Sequence, residues 1–396
     1  MAARATSVAP AASGLAAPRR RVVVSRRTPP PRPRPRPVVV AAAATEEVPL
    51  GTQIETALLG AFPPGTVDRV RDSLRFTLAD GVHEVNHPGL GLQQASSYIA
   101  GLTPRPYWDV RGGDFPWLVE LEKNFETIRD ELREGLANPD LERLGNAIWV
   151  AAARDDAEGY GPDWRTLVLQ DRCEWEPTNV GLFPKTTALV KAANAPSVEV
   201  FFAKQAPKTG IKPHTDFTNF IMTAHLGLDC PPPPLSWMKV GEETKHWEDG
   251  VGMAADTSFI HSTYNDSEDR DRFVLIVRFW HPELTAHERD GVRFLFDAFE
   301  DLSPAGLAAA AGKARARVAS RESADEHGRS GSGADEADAA AAFKSAVSAK
   351  VSAPQSGEEE EENGTRGGGG RRKKGRKKKA KGGGGKGLGL LAKGMK

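Results

Sequence analysis

Cysteine is scarce in this chain. Only Cys173 and Cys230 occur in 396 residues, far apart and in no CxxC pattern. That excludes a domain built on disulfides and removes the thiolates a structural zinc site would use. Long apolar runs are missing too: no stretch approaches the ~20 residues that span a bilayer. Hydrophobic residues make up 39% of the chain, so part of it is expected not to fold. Net charge is also absent, but the zero conceals segregation. Residues 1–45 carry nine arginines and no acid, and residues 366–396 carry 13 Lys or Arg and no acid. The middle therefore holds 31 basic residues against all 53 acids, a net of −22.

The ends read as unfolded. Residues 1–44 are rich in Ala, Ser, Arg and Pro, and the first acid of the chain is Glu46. That is transit-peptide composition without the apolar core of a secretory signal. Chloroplast is the first expected destination and mitochondrion the second, with cleavage near Val40 to Ala44. Residues 303–396 are Ala-rich, then acidic (Glu358 to Glu362), then rich in Lys, Arg and Gly. Such segments bury too little apolar surface to offset chain entropy, so this tail is expected to be disordered. Its basic end suits an anionic partner, nucleic acid or a membrane surface, or else is a solvated extension.

Between these ends the chain looks foldable, with no long internal repeat. Residues 45–145 read as a helical and irregular segment packing on a core. Leu118, Leu121, Phe125, Ile128 and Leu132 recur at steps of three and four, the mark of one amphipathic helix. The stretch DGVHEVNHPGLGLQQASSYIAG before it reads as turn-rich. From 146 to 302 come short β-type runs, among them WRTLVLQ, VEVFFAKQ, FIMTAHLGL, LSWMKV and RFVLIVRFW, split by Pro, Gly, Asn and Asp. Residues 284–302 could close the domain as a helix. Many short strands without intervening helices predict a mainly β fold with flanking helices, a sandwich or jelly roll; the residue pattern described next narrows this to a jelly-roll or cupin-like double-stranded β-helix core.

The chemistry concentrates in KPHTDFTNFIMTAHLGL, residues 212–228. In a strand, residues i and i+2 share a face, so His214 and Asp216 can aim an imidazole and a carboxylate at one point. His261 follows in DTSFIHSTYND, and Arg272 opens a strand eleven residues later. Two histidines and one carboxylate on one face of a metal leave positions open, which suits non-haem Fe(II) binding a co-substrate and O2. An arginine at the strand start can clamp a carboxylate in a bidentate pair. Together these residues form the pattern of a 2-oxoglutarate oxygenase.

The pieces IKPHTDFTNFIMTAHLGL, VGEETKHWEDG, DTSFIHSTYND and VLIVRFWHPELT resemble the aspartyl/asparaginyl β-hydroxylase family. The resemblance covers about half the chain. It implies iron at His214 and His261, Arg272 on the distal carboxylate of 2-oxoglutarate, and His225 helping to hold that co-substrate. It places Trp164 in the substrate cleft. It also implies hydroxylation of a C–H bond in an aspartyl- or asparaginyl-type substrate, peptidyl or small, with succinate and CO2 as co-products. The sequence departs from the family in places. Asp216 stands where the animal peptide hydroxylases have glycine. Thr223 and Ile221 replace arginines, Ala203 replaces a small hydroxyl residue, and Arg278 stands where the family has an acid. These losses keep open a second reading, a catalytically inactive β-helix binding module tethered by its basic tail to nucleic acid or another anionic partner. Under that reading Trp164, Trp237, Trp247 and Trp280 are core residues.

Overall fold

The computed structural model describes residues 48–151 and 164–330, with side chains to 323 in the final helix. The proposed transit peptide, residues 1–44, and the acidic and basic parts of the tail lie outside the described residues. In chain order the first elements are α1 (Leu50–Leu59), α2 (Asp68–Leu78), β1 (His83–His87), β2 (Gly91–Ser97), β3 (Tyr107–Trp108), α3 (Pro116–Lys123), α4 (Phe125–Ala137) and α5 (Leu141–Leu144). Next come β4 (Val150–Ala151), β5 (Trp164–Asp171), β6 (Glu174–Trp175), α6 (Pro177–Leu182), α7 (Pro184–Ala192), β7 (Ser197–Gln205), β8 (Thr209–His214) and β9 (Phe217–Thr218). The last are β10 (Ile221–Asp229), β11 (Ser236–Val240), β12 (Glu243–His246), β13 (Gly252–Ala255), β14 (His261–Asn265), β15 (Arg272–Trp280), α8 (Ala286–Glu300) and α9 (Pro304–Ser330).

Two antiparallel sheets carry the site. The larger runs β3-β13-β10-β15-β7-β5-β4, with β6 paired to β5; the smaller runs β12-β11-β14-β8. Met238 and Val240 from the smaller sheet share an apolar cluster with Phe201, Val274 and Ile276 from the larger. This face-to-face packing is the expected jelly-roll core.

The unbroken apolar look of the central strands has a physical reason, since both faces of the larger sheet are covered. On β15, Leu275, Val277 and Phe279 point outward beneath helices α3, α4 and α7. Val274 and Ile276 point inward. The same alternation on β10 sends Met222, Ala224, Leu226 and Leu228 outward. It leaves Thr223, His225 and Gly227 facing the second sheet. Gly227 is required by close approach: a Cβ there would sit 2.1 Å from the Glu248 carbonyl oxygen.

Three sequence expectations change. The single helix expected from the apolar spacing of Leu118 to Leu132 is two helices, α3 and α4, broken at Asn124, whose side-chain amide donates to the Glu120 carbonyl. The turn-rich stretch after Gly81 forms the hairpin β1/β2, and β2 adds β9 in parallel. Residues 45–145 thus supply strands as well as helices. The expected disorder from 303 onward fails over the first part of that segment. There α9 buries Leu307, Ala310, Ala311, Ala314 and Val318 at helical spacing. Alanine is the best helix former, and its small side chain lets α9 lie close on α8. Lys313 and Arg317 bind Asp297 at 2.7 and 3.2 Å, and Arg321 binds Asp290. A composition reading discounts alanine as core, and so missed this helix. No helix among the described residues is long and apolar enough to cross a membrane.

Leu307→Ala is expected to cost about 2–4 kcal/mol of stability. Urea unfolding checks this; an unchanged midpoint and slope would mean α9 is not part of the folded core.

Candidate functional site

His214 ends β8 and His261 opens β14, and the two residues are paired directly across these antiparallel strands. Their ring centroids lie 4.2 Å apart. Each ring has its Nδ1 on the carbonyl two residues earlier, at 2.8 Å for His214 on Lys212 and 3.0 Å for His261 on Phe259. A carbonyl only accepts, so Nδ1 carries the proton in both rings and Nε2 offers its lone pair. Burial, aided by the neighbouring His214, lowers the His261 pKa to about 4. That ring is therefore neutral at pH 7, as a metal ligand must be.

Asp216 completes the group. Strand alternation accounts for it only halfway, because β8 stops at His214 and Asp216 lies in the turn before β9. Its backbone N–H donates to the Thr257 carbonyl at 2.9 Å, which fixes the turn. Asp216 Oδ1 then lies 4.0 Å from His214 Nε2. One ligand atom from each of His214, Asp216 and His261 falls within 4.8 Å of the others. Two imidazole nitrogens and a carboxylate oxygen, without a thiolate, form the donor set that suits Fe(II). Cys173 and Cys230 are both free thiols outside this group.

The same group faces a cavity of about 270 Å³ between the sheets. All six residues singled out from the sequence, Trp164, His214, Asp216, His225, His261 and Arg272, line it. Arg272 is 1% exposed, and none of its three guanidinium nitrogens has a hydrogen-bond partner among the described residues. Its pKa falls to about 10 through burial, so it stays charged at pH 7. The Trp247 ring, 4.2 Å beneath the guanidinium, compensates it in part. A buried cation with its donors unmet favours an anion beside it, and its planar fork matches a carboxylate.

His225 is oriented by the same tryptophan. Trp247 Nε1–H donates to His225 Nδ1 at 3.2 Å, which leaves the proton of a neutral ring on Nε2. Burial, with the charge of Arg272 next, pushes the His225 pKa down to about 3. Composition alone assigns Trp247 to the core. It is fully buried, yet it also aims two functional side chains. The HW pair in VGEETKHWEDG was the only signal for it.

Two of the positions that depart from the family pattern, Thr223 and Arg278, are direct neighbours across β10 and β15. Thr223, Arg278 and Glu199 sit side by side across β10, β15 and β7. Arg278 Nη2 lies 3.3 Å from Asp216 Oδ2, and Nη1 lies 3.4 Å from Glu199 Oε2. Arg278 is therefore committed to two carboxylates and does not replace the arginines missing at Thr223 and Ile221. Sequence reasoning did not single out Glu199. Trp164 opens β5 and meets Phe201 edge-on, with ring centroids 6.4 Å apart.

Known proteins match the segment of the chain that carries this cavity. Residues 122–282 match the family model described as aspartyl/asparaginyl beta-hydroxylase. The chain is 30% identical to the human aspartyl/asparaginyl beta-hydroxylase over 218 residues, covering 52% of this chain and 27% of that protein. It is 36% identical to the rat aspartate beta-hydroxylase domain-containing protein 2 over 186 residues, 44% of this chain and 51% of that one. It is 27% identical to the ornithine lipid ester-linked acyl 2-hydroxylase of Rhizobium tropici over 171 residues, 42% of this chain and 58% of that one. The chain thus spans between about a quarter and three fifths of these relatives' lengths.

Arg272→Met tests the anion receptor without any turnover. Replacing an uncompensated buried charge by an apolar side chain is expected to leave the ligand-free protein as stable or more stable. Glutarate, an inert dicarboxylate, should raise the melting temperature of the wild type and not of the variant. A marked loss of stability in ligand-free Arg272→Met would make the arginine structural.

Proposed function

We propose that this chain, whose pocket residues all fall inside the segment matching the aspartyl/asparaginyl beta-hydroxylase family, is an Fe(II)- and 2-oxoglutarate-dependent hydroxylase. The observation that carries the reading is the meeting, in one cavity, of a two-histidine, one-carboxylate donor set with a buried arginine that has no hydrogen-bond acceptor among the described residues. His214, Asp216 and His261 would hold the metal. Iron bound there would supply activation of O2, with one oxygen atom going to the succinate formed from 2-oxoglutarate as CO2 is released and the other inserted into the substrate C–H bond.

The protein's own residues do the rest. The carbonyls of Lys212 and Phe259 fix the two imidazole tautomers, so each neutral ring would present its Nε2 lone pair to a metal. Arg272 takes the far carboxylate of the co-substrate and sets its reach into the pocket. His225 presents its Nε2–H as a neutral donor beside the same ligand. Trp164, Val168, Phe201 and Ile276 supply the apolar wall against which a substrate C–H is positioned.

The substrate proposed is of the aspartyl or asparaginyl type, peptidyl or small, as the relatives' names suggest. The composition of residues 1–44 supports a plastid location.

The direct assay is succinate formation from 2-oxoglutarate in the presence of Fe(II) and ascorbate. Wild type is expected to turn over, and Arg272→Met to need about 10- to 100-fold more 2-oxoglutarate. Asp216→Ala is expected to weaken Mn(II) binding, measured by calorimetry, by at least about tenfold to a hundredfold, the range that even outer-sphere partners command. No turnover together with no metal binding would favour the inactive binding module.

A further inference from the structure

A second cavity, of about 460 Å³, lies behind Gln170, which also lines the first. Its α8 wall is a single helical stripe. Ala286, Arg289, Asp290 and Arg293 recur at steps of three and four and face the same way. Arg321 from α9 and Lys191 from α7 complete the charged lining. Four cations thus meet one acid, in a protein whose central region carries a net charge of −22. The floor is apolar, with Trp175, Val190 and Trp280.

The available partners do not balance these cations. Asp290 is taken by Arg321 and, at 3.7 Å, by Arg317. Arg293 reaches only Glu174, at 3.8 Å, and that carboxylate is 86% exposed. Lys191 Nζ lies 4.6 Å over the Trp175 ring. Arg289 has no acidic partner among the described residues, and its Nε is buried with no acceptor. Burial and then the charge of Arg321 lower its pKa. Arg321 Nη1 is buried without an acceptor as well. Two neighbouring, half-buried guanidinium groups with unmet N–H donors repel each other and lose hydration. Both costs vanish when an anion sits between them.

We propose that this cavity is a binding site for a phosphate group, separate from the metal-binding pocket. The three-charge excess suits a phosphate dianion better than a single carboxylate. Arginine forks pair with phosphate oxygens in the same bidentate way that they pair with carboxylates. Asn194 and Ser197 add polar groups to the lining. A soluble phosphate monoester and a phospholipid headgroup present this same group. The site does not depend on the hydroxylase reading.

The test uses the full chain at fixed ionic strength, with glycerol 3-phosphate in solution and phosphatidylcholine vesicles with or without phosphatidic acid as probes. Wild type should bind at least one phosphate probe saturably, and Arg289→Gln should bind it at least tenfold more weakly. Ligand-free Arg289→Gln should melt no lower than wild type, because the substitution relieves repulsion. Preference for phosphatidic acid vesicles would identify a lipid headgroup, and preference for glycerol 3-phosphate a soluble ligand. The proposal is overturned by saturable binding of neither probe, by binding undiminished in Arg289→Gln, or by a lower melting temperature of that variant without ligand.

Discussion

The site depends on one strand register. His214 and His261 are opposed across β8 and β14, and a slip of one residue would turn one ring to the opposite face. Nothing local to either histidine brings them together; 46 residues separate them in the chain. The register is held by the packing of the smaller sheet on the larger, through Met238, Val240, Val274 and Ile276. The jelly-roll core thereby fixes two donors on rigid backbone, and the turn bonded to Thr257 adds the third. Precision comes from strands, and only Asp216 is carried by a turn.

The pocket has a second feature that packing alone would not select. Arg272 is a full charge placed where water is excluded, with an aromatic ring in place of an acid. Burying it unpaired costs several kcal/mol, about what a purely apolar core would have saved. Trp247 offsets part of that cost and orients His225 through the same indole. One buried tryptophan therefore couples the anion receptor to the neutral imidazole beside it. Arg278 is handled in the opposite way, ion-paired with Asp216 and Glu199. Of these two inward arginines on β15, one is left open for a ligand and the other braces the carboxylate.

Much of this was legible in the sequence. The alternation of β10 and β15, the distal histidine and the strand-opening arginine fell where spacing placed them, because each follows from strand periodicity and residue chemistry; the HxD pair did so only halfway, since β8 stops at His214. What escaped were features with a long-range cause. Alanines become core in α9 only because α8 lies close enough to use their small size. The β1/β2 hairpin hides behind glycine and asparagine that look like turn residues. Trp247 and Arg278 take their roles from strands distant in sequence, and spacing along one strand carries no information about that. The α8 stripe of Arg289 and Arg293 reads as ordinary helix surface until α7 and α9 enclose it.

The central claim is that the triad and Arg272 form one receptor for a metal and a dicarboxylate. A crystal structure of the protein grown without oxygen, with Mn(II) and 2-oxoglutarate, tests it most directly. The account predicts the metal on His214 Nε2, Asp216 and His261 Nε2, with the distal carboxylate paired to the Arg272 guanidinium. Metal bound elsewhere, or 2-oxoglutarate bound with Arg272 still unpaired, would contradict it.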